Sequence, residues 1–208
     1  MRYISSIALA LTLFGLAGTA SAQGYAAPFG SKGQVTFGAE RLFGFHWVKN
    51  SWEHPDNRTE SSSGTSVGFG WYFAQHLQFN QPRVGVDFFI TDDISLGGAL
   101  GFFSMSGTRN SNLDGFIISP RVGFNVPISD VVKFWPKVGL TFISVGDIRA
   151  FGLSGEANFA FFARPNWAFL VTPTLDLAPF GSQDNPAGPD SDFSSYSFGA
   201  SVGLLGVI

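Results

Sequence analysis

Hydrophobic residues alternate with small or polar ones along most of this chain, with the two-residue period of a β-strand whose two faces meet different surroundings. Between positions 34 and 47, Val35, Phe37, Ala39, Phe43, Phe45 and Trp47 share one side, while Gln34, Thr36, Gly38, Glu40, Gly44 and His46 share the other. Positions 82–91 set Val84, Val86, Phe88 and Ile90 against Arg83, Gly85, Asp87 and Phe89, and 95–104 set Leu96, Leu100 and Phe102 against Ser95, Gly97, Ala99 and Gly101. The same rhythm runs through 116–128, 132–142, 156–164, 169–177 and 195–208. Each segment is close to the roughly ten residues that a tilted strand needs to cross a bilayer.

Composition decides which face meets what. The chain is 45% hydrophobic and 13% charged, with 26 Gly and 24 Phe, whereas a soluble domain carries about a quarter charged residues. A soluble barrel would bury the apolar set and coat its exterior with Lys and Glu. Here the other face is mostly Gly, Ser and Thr with single charges of both signs, too sparse for a solvent coat but small enough to fill a narrow lumen. The apolar set therefore faces lipid. No apolar run of about 20 residues follows position 22, which removes helical spans; strands in lipid satisfy their backbone only by closing the sheet. The expectation is an all-β fold: a closed antiparallel transmembrane β-barrel of eight strands, with ten as the alternative. A net charge of −3 without a basic cluster excludes a nucleic-acid partner.

The start of the chain supplies the route. Arg2, an apolar run over 7–17 and Ala20-Ser21-Ala22 form a secretory signal, 1–22, cleaved after Ala22 to leave a barrel domain over 23–208 in the cell outer membrane. The chain has no Cys, which excludes lipid anchoring through a thiol and suits an oxidising periplasm. Tight turns at 91–94, 129–130 and 166–167 alternate with longer polar stretches at 48–81, 105–115, 144–155 and 181–192. Short periplasmic turns and long external loops place both termini on the periplasmic side.

Some positions strain the scheme. Segment 65–73 alternates too, with Val67, Phe69, Trp71 and Phe73 on one side. A ninth spanning strand would leave an odd count, so 65–73 is expected as an extended part of the first external loop, above the membrane or against the rim. Ten strands would require 76–81 to span. Arg41 falls on the lipid face, where mid-depth Arg costs about 2–4 kcal/mol, so a bulge near Glu40 or a snorkelling side chain is expected. Pro120, Pro136 and Pro173 each remove a ladder donor inside a strand, which predicts bulges or local breaks.

This pattern of signal, spans and turns, with a last strand ending FGASVGLLGVI over 198–208, resembles the small outer-membrane barrels of the OmpA and OmpX type. The resemblance covers essentially the whole mature chain and implies insertion by machinery that reads the C-terminal strand, with Ile208 standing where that superfamily usually carries an aromatic residue. It carries no peptidoglycan-anchoring role.

Candidate chemistry sits on the inward face. Glu40, Arg83, Asp87, Arg121, Lys133, Lys137, Glu156, Arg164 and Asp176 point inward by alternation; in a lumen that side chains just fill, they are read as a paired plug, and the alternative is a narrow passive, porin-like channel. Trp47, Phe134, Trp167 and Tyr196 fall near strand ends and suit aromatic girdles. His46, His54 and His76 with nearby Ser residues resemble in kind the Ser and His of barrel enzymes that remodel lipid A. No motif fixes their geometry or gives metal-ligand spacing, so no enzymatic activity, metal or cofactor is expected. The loops are acidic, with Asp184, Asp190 and Asp192 in the last and Glu53, Asp56 and Glu60 beside Lys49 and Arg58 in the first. With Trp52 and Trp71 they are read as a surface for contact or for cations shared with lipopolysaccharide. The expected partners are outer-membrane lipids, lipopolysaccharide and the insertion machinery, with the chain a monomer.

Overall fold

A computed structural model describes residues 27–56, 58–69, 81–106, 112–184 and 189–208. The signal sequence, Trp71, His76 and the segments 70–80, 107–111 and 185–188 lie outside the described residues. Among the described residues ten strand segments form: β1 Val35–Glu53, β2 Thr59–Phe69, β3 Arg83–Phe89, β4 Ile94–Ser106, β5 Asn112–Phe124, β6 Val126–Pro127, β7 Val132–Val145, β8 Ile148–Arg164, β9 Trp167–Gln183 and β10 Ser191–Val207.

Those ten segments make eight wall positions. On one side β1 pairs with β10 from Thr36 opposite Val207 to Glu53 opposite Asp192, which closes the sheet on itself. On its other side β1 pairs with β3 over its first residues, Val35 to Glu40, and with β2 from Phe43 onward. Thus β2 and β3 stack end to end as one wall strand. The part of 65–73 that is described belongs to that upper half and adds no wall position. Likewise β6 continues β5, both pairing with β7 in one register. The product is a closed, all-antiparallel barrel of eight wall strands.

Burial shows which side is which. In β3 it alternates strictly from Arg83 to Phe89, and in β9 buried Ala168, Leu170, Thr172, Thr174 and Asp176 alternate with exposed Phe169, Val171, Pro173 and Leu175. The buried set points inward. The outward set is a continuous apolar belt that includes Val67 (61% exposed), Phe102 (66%), Phe124 (51%), Leu175 (50%) and Phe198 (54%). A patch of this extent is not left to water by a soluble protein.

The strands are longer than their alternation suggests. Positions 144–155 are not a loop, since β7 and β8 run on to a turn at Gly146 and Asp147, with Gly146 at φ 53°. Strands β8, β9 and β10 have 17 residues each and β1 has 19. At about 3.3 Å per residue and a tilt of about 40°, 17 residues rise about 43 Å, well beyond an apolar band of about 25 Å. At the far ends of β1 and β10 the outward residues turn polar, at Lys49, Ser51, Glu53 and Asp192, while the hydrogen-bonded ladder continues; on β8 outward Phe151 and Leu153 keep the apolar face.

The prolines act locally. Pairing between β5 and β7 skips from Ile118–Phe142 to Arg121–Gly139 across Pro120. It skips likewise between β8 and β9, from Glu156–Thr174 to Phe159–Val171, across Pro173. The β5/β6 break at Asn125 faces Trp135 and Pro136. In each case the ladder loses bonds on one side and the register is kept, so these are interruptions and not bulges.

Candidate functional site: a layered lumen

Three layers fill the barrel. At the tight-turn end an apolar floor joins Phe89, Trp135, Leu170, Leu205 and Val207 to Phe29, which precedes β1. The Phe29 ring lies 5.2 Å from Phe89 in an edge contact and 5.3 Å from Trp135. Backbone bonds hold the segment there: Gly33 N donates to Phe89 O at 2.8 Å and Asp93 N to Gly30 O at 2.7 Å. Near the other end lies a second apolar layer of Ile117, Ile143, Val145, Ala150, Ala178 and Phe193. Between the two sits a layer of charge.

Arg121 is the hub of that layer. Its guanidinium meets both oxygens of Glu40 at 2.6 and 2.7 Å, both of Asp87 at 2.6 and 3.0 Å, and Glu156 at 3.4 Å. Lys137 Nζ donates to Glu40 and Asp87, each at 3.1 Å, and lies 3.7 Å above the Trp135 ring. Glu156 joins this group to Arg41, which donates to it at 2.9 Å and to Asp176 at 2.8 and 3.1 Å. From Asp176 a chain of hydroxyls returns through Ser154 and Thr141 to Ser119, which accepts from Arg83 at 3.2 Å. All eight ionisable residues are at most 8% exposed. Four carboxylates face four cations, which is how buried charge persists.

Register explains why charges on non-adjacent strands meet. Asp87 lies opposite Gly97 and Gly97 opposite Arg121, so the ion pair crosses β4 over a residue with no side chain. A Cβ on Gly97 would collide with Asp87 Oδ1, and one on Gly85 would fall 2.5 Å from Arg121 Nη2.

Arg41 reaches the lumen through a bulge. Ala39 lies opposite Leu204 and Phe43 opposite Val202, so β1 carries two more residues than β10 over this step. Arg41 there adopts φ 55°, unusual for a long side chain, and is 4% exposed. The bulge stands where β1 changes partner from β3 to β2. A left-handed conformation costs of order 1–3 kcal/mol, and the bidentate contact with Asp176 offsets it.

Of the inward ionisable residues expected from the sequence, Glu40, Arg83, Asp87, Arg121, Lys137, Glu156 and Asp176 share this layer. Lys133 and Arg164 do not: Lys133 Nζ donates to Ser129 O at the tight-turn end and Arg164 is exposed. Trp47 packs on Phe198 (5.3 Å) on the outer wall, Phe134 on Phe159 (4.9 Å) and Trp167 on Phe169 (4.8 Å) nearer the turns, while Tyr196 is 39% exposed on β10. His46 lies buried inside the wall, whereas His54 is at the far end of β1, its Nδ1 2.9 Å from Ser191 Oγ and its Nε2 3.8 Å from Glu60. That last distance exceeds hydrogen-bond reach, so Glu60 does not orient the ring as a catalytic carboxylate would. Among the described residues no group of three His, Asp or Glu side chains is set to hold a metal. Sequence alternation missed Arg41, and no signal marked the floor formed by Phe29.

By fold the chain is a closed, eight-stranded antiparallel β-barrel, the fold of solved outer-membrane barrel proteins. It is similar to the outer membrane protein AlkL solved by solid-state NMR in lipid bilayers, with TM-score 0.50, 10% identity, and 90% of this chain and 96% of that one covered. Outer membrane protein OprG from Pseudomonas aeruginosa gives 0.49 and 10%, with 84% and 96% covered. Neisserial surface protein A gives 0.47 and 11%, with 84% and 99% covered. These likenesses concern the fold. No family model and no curated protein matches the sequence.

Proposed function

We propose that this outer-membrane protein is a closed barrel with a charge-plugged lumen, and that it acts structurally and through the wall and loops raised above the membrane. The observation that carries this reading is the connected set of four carboxylates and four cations spanning six strand segments between two apolar layers. The space left among Arg83, Ser119, Arg121, Lys137, Ser154 and Glu156 is about 10 Å³, no more than one water molecule needs. Pore width, and not polarity, limits conduction in a barrel of this size.

The raised rim carries exposed pairs, Arg149 with Asp184 at 3.2 Å and Arg58 with Glu60 at 3.6 Å, and its acidic side chains suit cations shared with lipopolysaccharide or contact with a surface partner. The chain is taken to be a monomer, exported by a signal cleaved after Ala22, inserted through its C-terminal strand, and without catalytic or cofactor chemistry. Planar-bilayer recording tests the plug. The purified barrel is expected to show no steady openings; openings whose conductance changes in Lys137→Met or Asp176→Asn make it a narrow channel instead.

A further inference from the structure

Three hydrogen-bonding nitrogens stand without partners near the outer end of the barrel. Asn50 and Trp52 occupy alternate positions of β1 and so share its inward face, and His54 follows directly past the strand's end. Asn50 is 1% exposed, and its Oδ1 accepts from Ser195 Oγ at 2.7 Å, which fixes the amide and leaves Nδ2 as the unused donor. Trp52 packs on Phe193 at 5.6 Å, with an indole nitrogen that is buried and unpaired. His54 Nε2 is likewise buried and makes no hydrogen bond; when Ser191 donates to Nδ1, Nε2 carries the proton. A buried unsatisfied donor costs about 1–3 kcal/mol. Three within five residues of chain call for an occupant that accepts.

Their surroundings narrow its chemistry. Alongside lies the upper apolar layer, with Phe193 directly opposite Trp52 and with Val145 and Ile148 in the same cluster. Glu53 and Asp192 face each other on the wall at this height, and Glu60 lies 3.8 Å from His54. With Arg58 directed at Glu60 and Asp56, this end of the wall repels anions. Donors without acceptors, an apolar bed and a negative rim fit an uncharged molecule with an oxygen at one end and hydrocarbon at the other. Few polar groups on an apolar lining are also what a small-molecule site normally shows.

We propose that Asn50, Trp52 and His54, with Val145, Ile148 and Phe193 beside them, bind a neutral amphiphile whose carbonyl, ester or ether oxygen accepts from these nitrogens. The site lies on the outer side of the charge layer and requires no passage through it. Methyl decanoate is the probe and decanoate its charged control, added to the ¹⁵N-labelled full barrel in lipid nanodiscs. The Trp52 indole and Asn50 amide signals shift and saturate with the ester but not with the carboxylate. Trp52→Phe, followed through Asn50, and Asn50→Ala, followed through Trp52, each weaken binding about tenfold, the effect of losing one hydrogen bond. A shift that rises linearly and ignores both substitutions reports partition into lipid and overturns the site. So does equal binding of decanoate, or the absence of any shift, which would assign the nitrogens to water.

Discussion

Replacing Arg121 by Met tests the charge layer at its hub. The substitution keeps much of the side chain's length and removes the guanidinium that holds Glu40 and Asp87 on both oxygens and reaches Glu156 at 3.4 Å. Two carboxylates then share Lys137 alone, each at 3.1 Å, so the local balance moves from zero to one uncompensated negative charge. Breaking a buried pair by deleting one partner costs about 3–5 kcal/mol. With a urea slope of about 2 kcal/mol per molar, the unfolding midpoint falls by about 2 M. Tryptophan fluorescence during urea titration of the barrel in lipid vesicles reads this directly. The double variant Arg121→Met with Glu40→Gln restores the balance and recovers a large part of the loss. A midpoint for Arg121→Met within about 0.5 M of the parent, or a double variant less stable than the single one, would show that the charges are independent and water-screened.

Three other substitutions probe the belt, the floor and the fit of the lumen. Leu96→Arg, on the lipid face and 49% exposed, is expected to cost about 2–4 kcal/mol in vesicles; an unchanged midpoint would mean that this face meets water. Phe29→Ala, at a residue 8% exposed in the floor, should cost about 3–5 kcal/mol, and an unaltered urea midpoint would show that the segment before β1 does not seal the barrel. Gly85→Ala puts a methyl group 2.5 Å from Arg121 Nη2 and 2.7 Å from Glu40 Oε1. Crowding of this kind costs about 1–3 kcal/mol, and thermal melting on gels would register it; no change would mean that the ion pair moves aside freely.

The sequence by itself determined the barrel. A two-residue period with a greasy face is a local property: neighbouring side chains on a strand must diverge, and a chain with so few charges has no coat to offer water. Lipid then demands closure, so eight segments and an inward charge set were legible without coordinates. Glu40, Asp87, Arg121 and Lys137 could be assigned to one side because alternation fixes side, and side is all it fixes.

Tertiary structure decided what depends on pairing between distant strands. The bulge that turns Arg41 inward exists because β1 must match β10 on one edge while changing from β3 to β2 on the other, a condition written in no local pattern. Segment 59–69 belongs to the wall only because β3 leaves the upper half of β1 free for it. The glycines that let Asp87 reach Arg121 across β4 matter through register, and Phe29 becomes a floor only once there is a barrel to close. Alternation also ended too early at 144–155: outward Phe151 and Leu153 keep the apolar mark there, but Gly146, Gly152 and Gly155 break up the local pattern, and only the continuous pairing of β7 with β8 down to Val145 and Ile148 defines the strands.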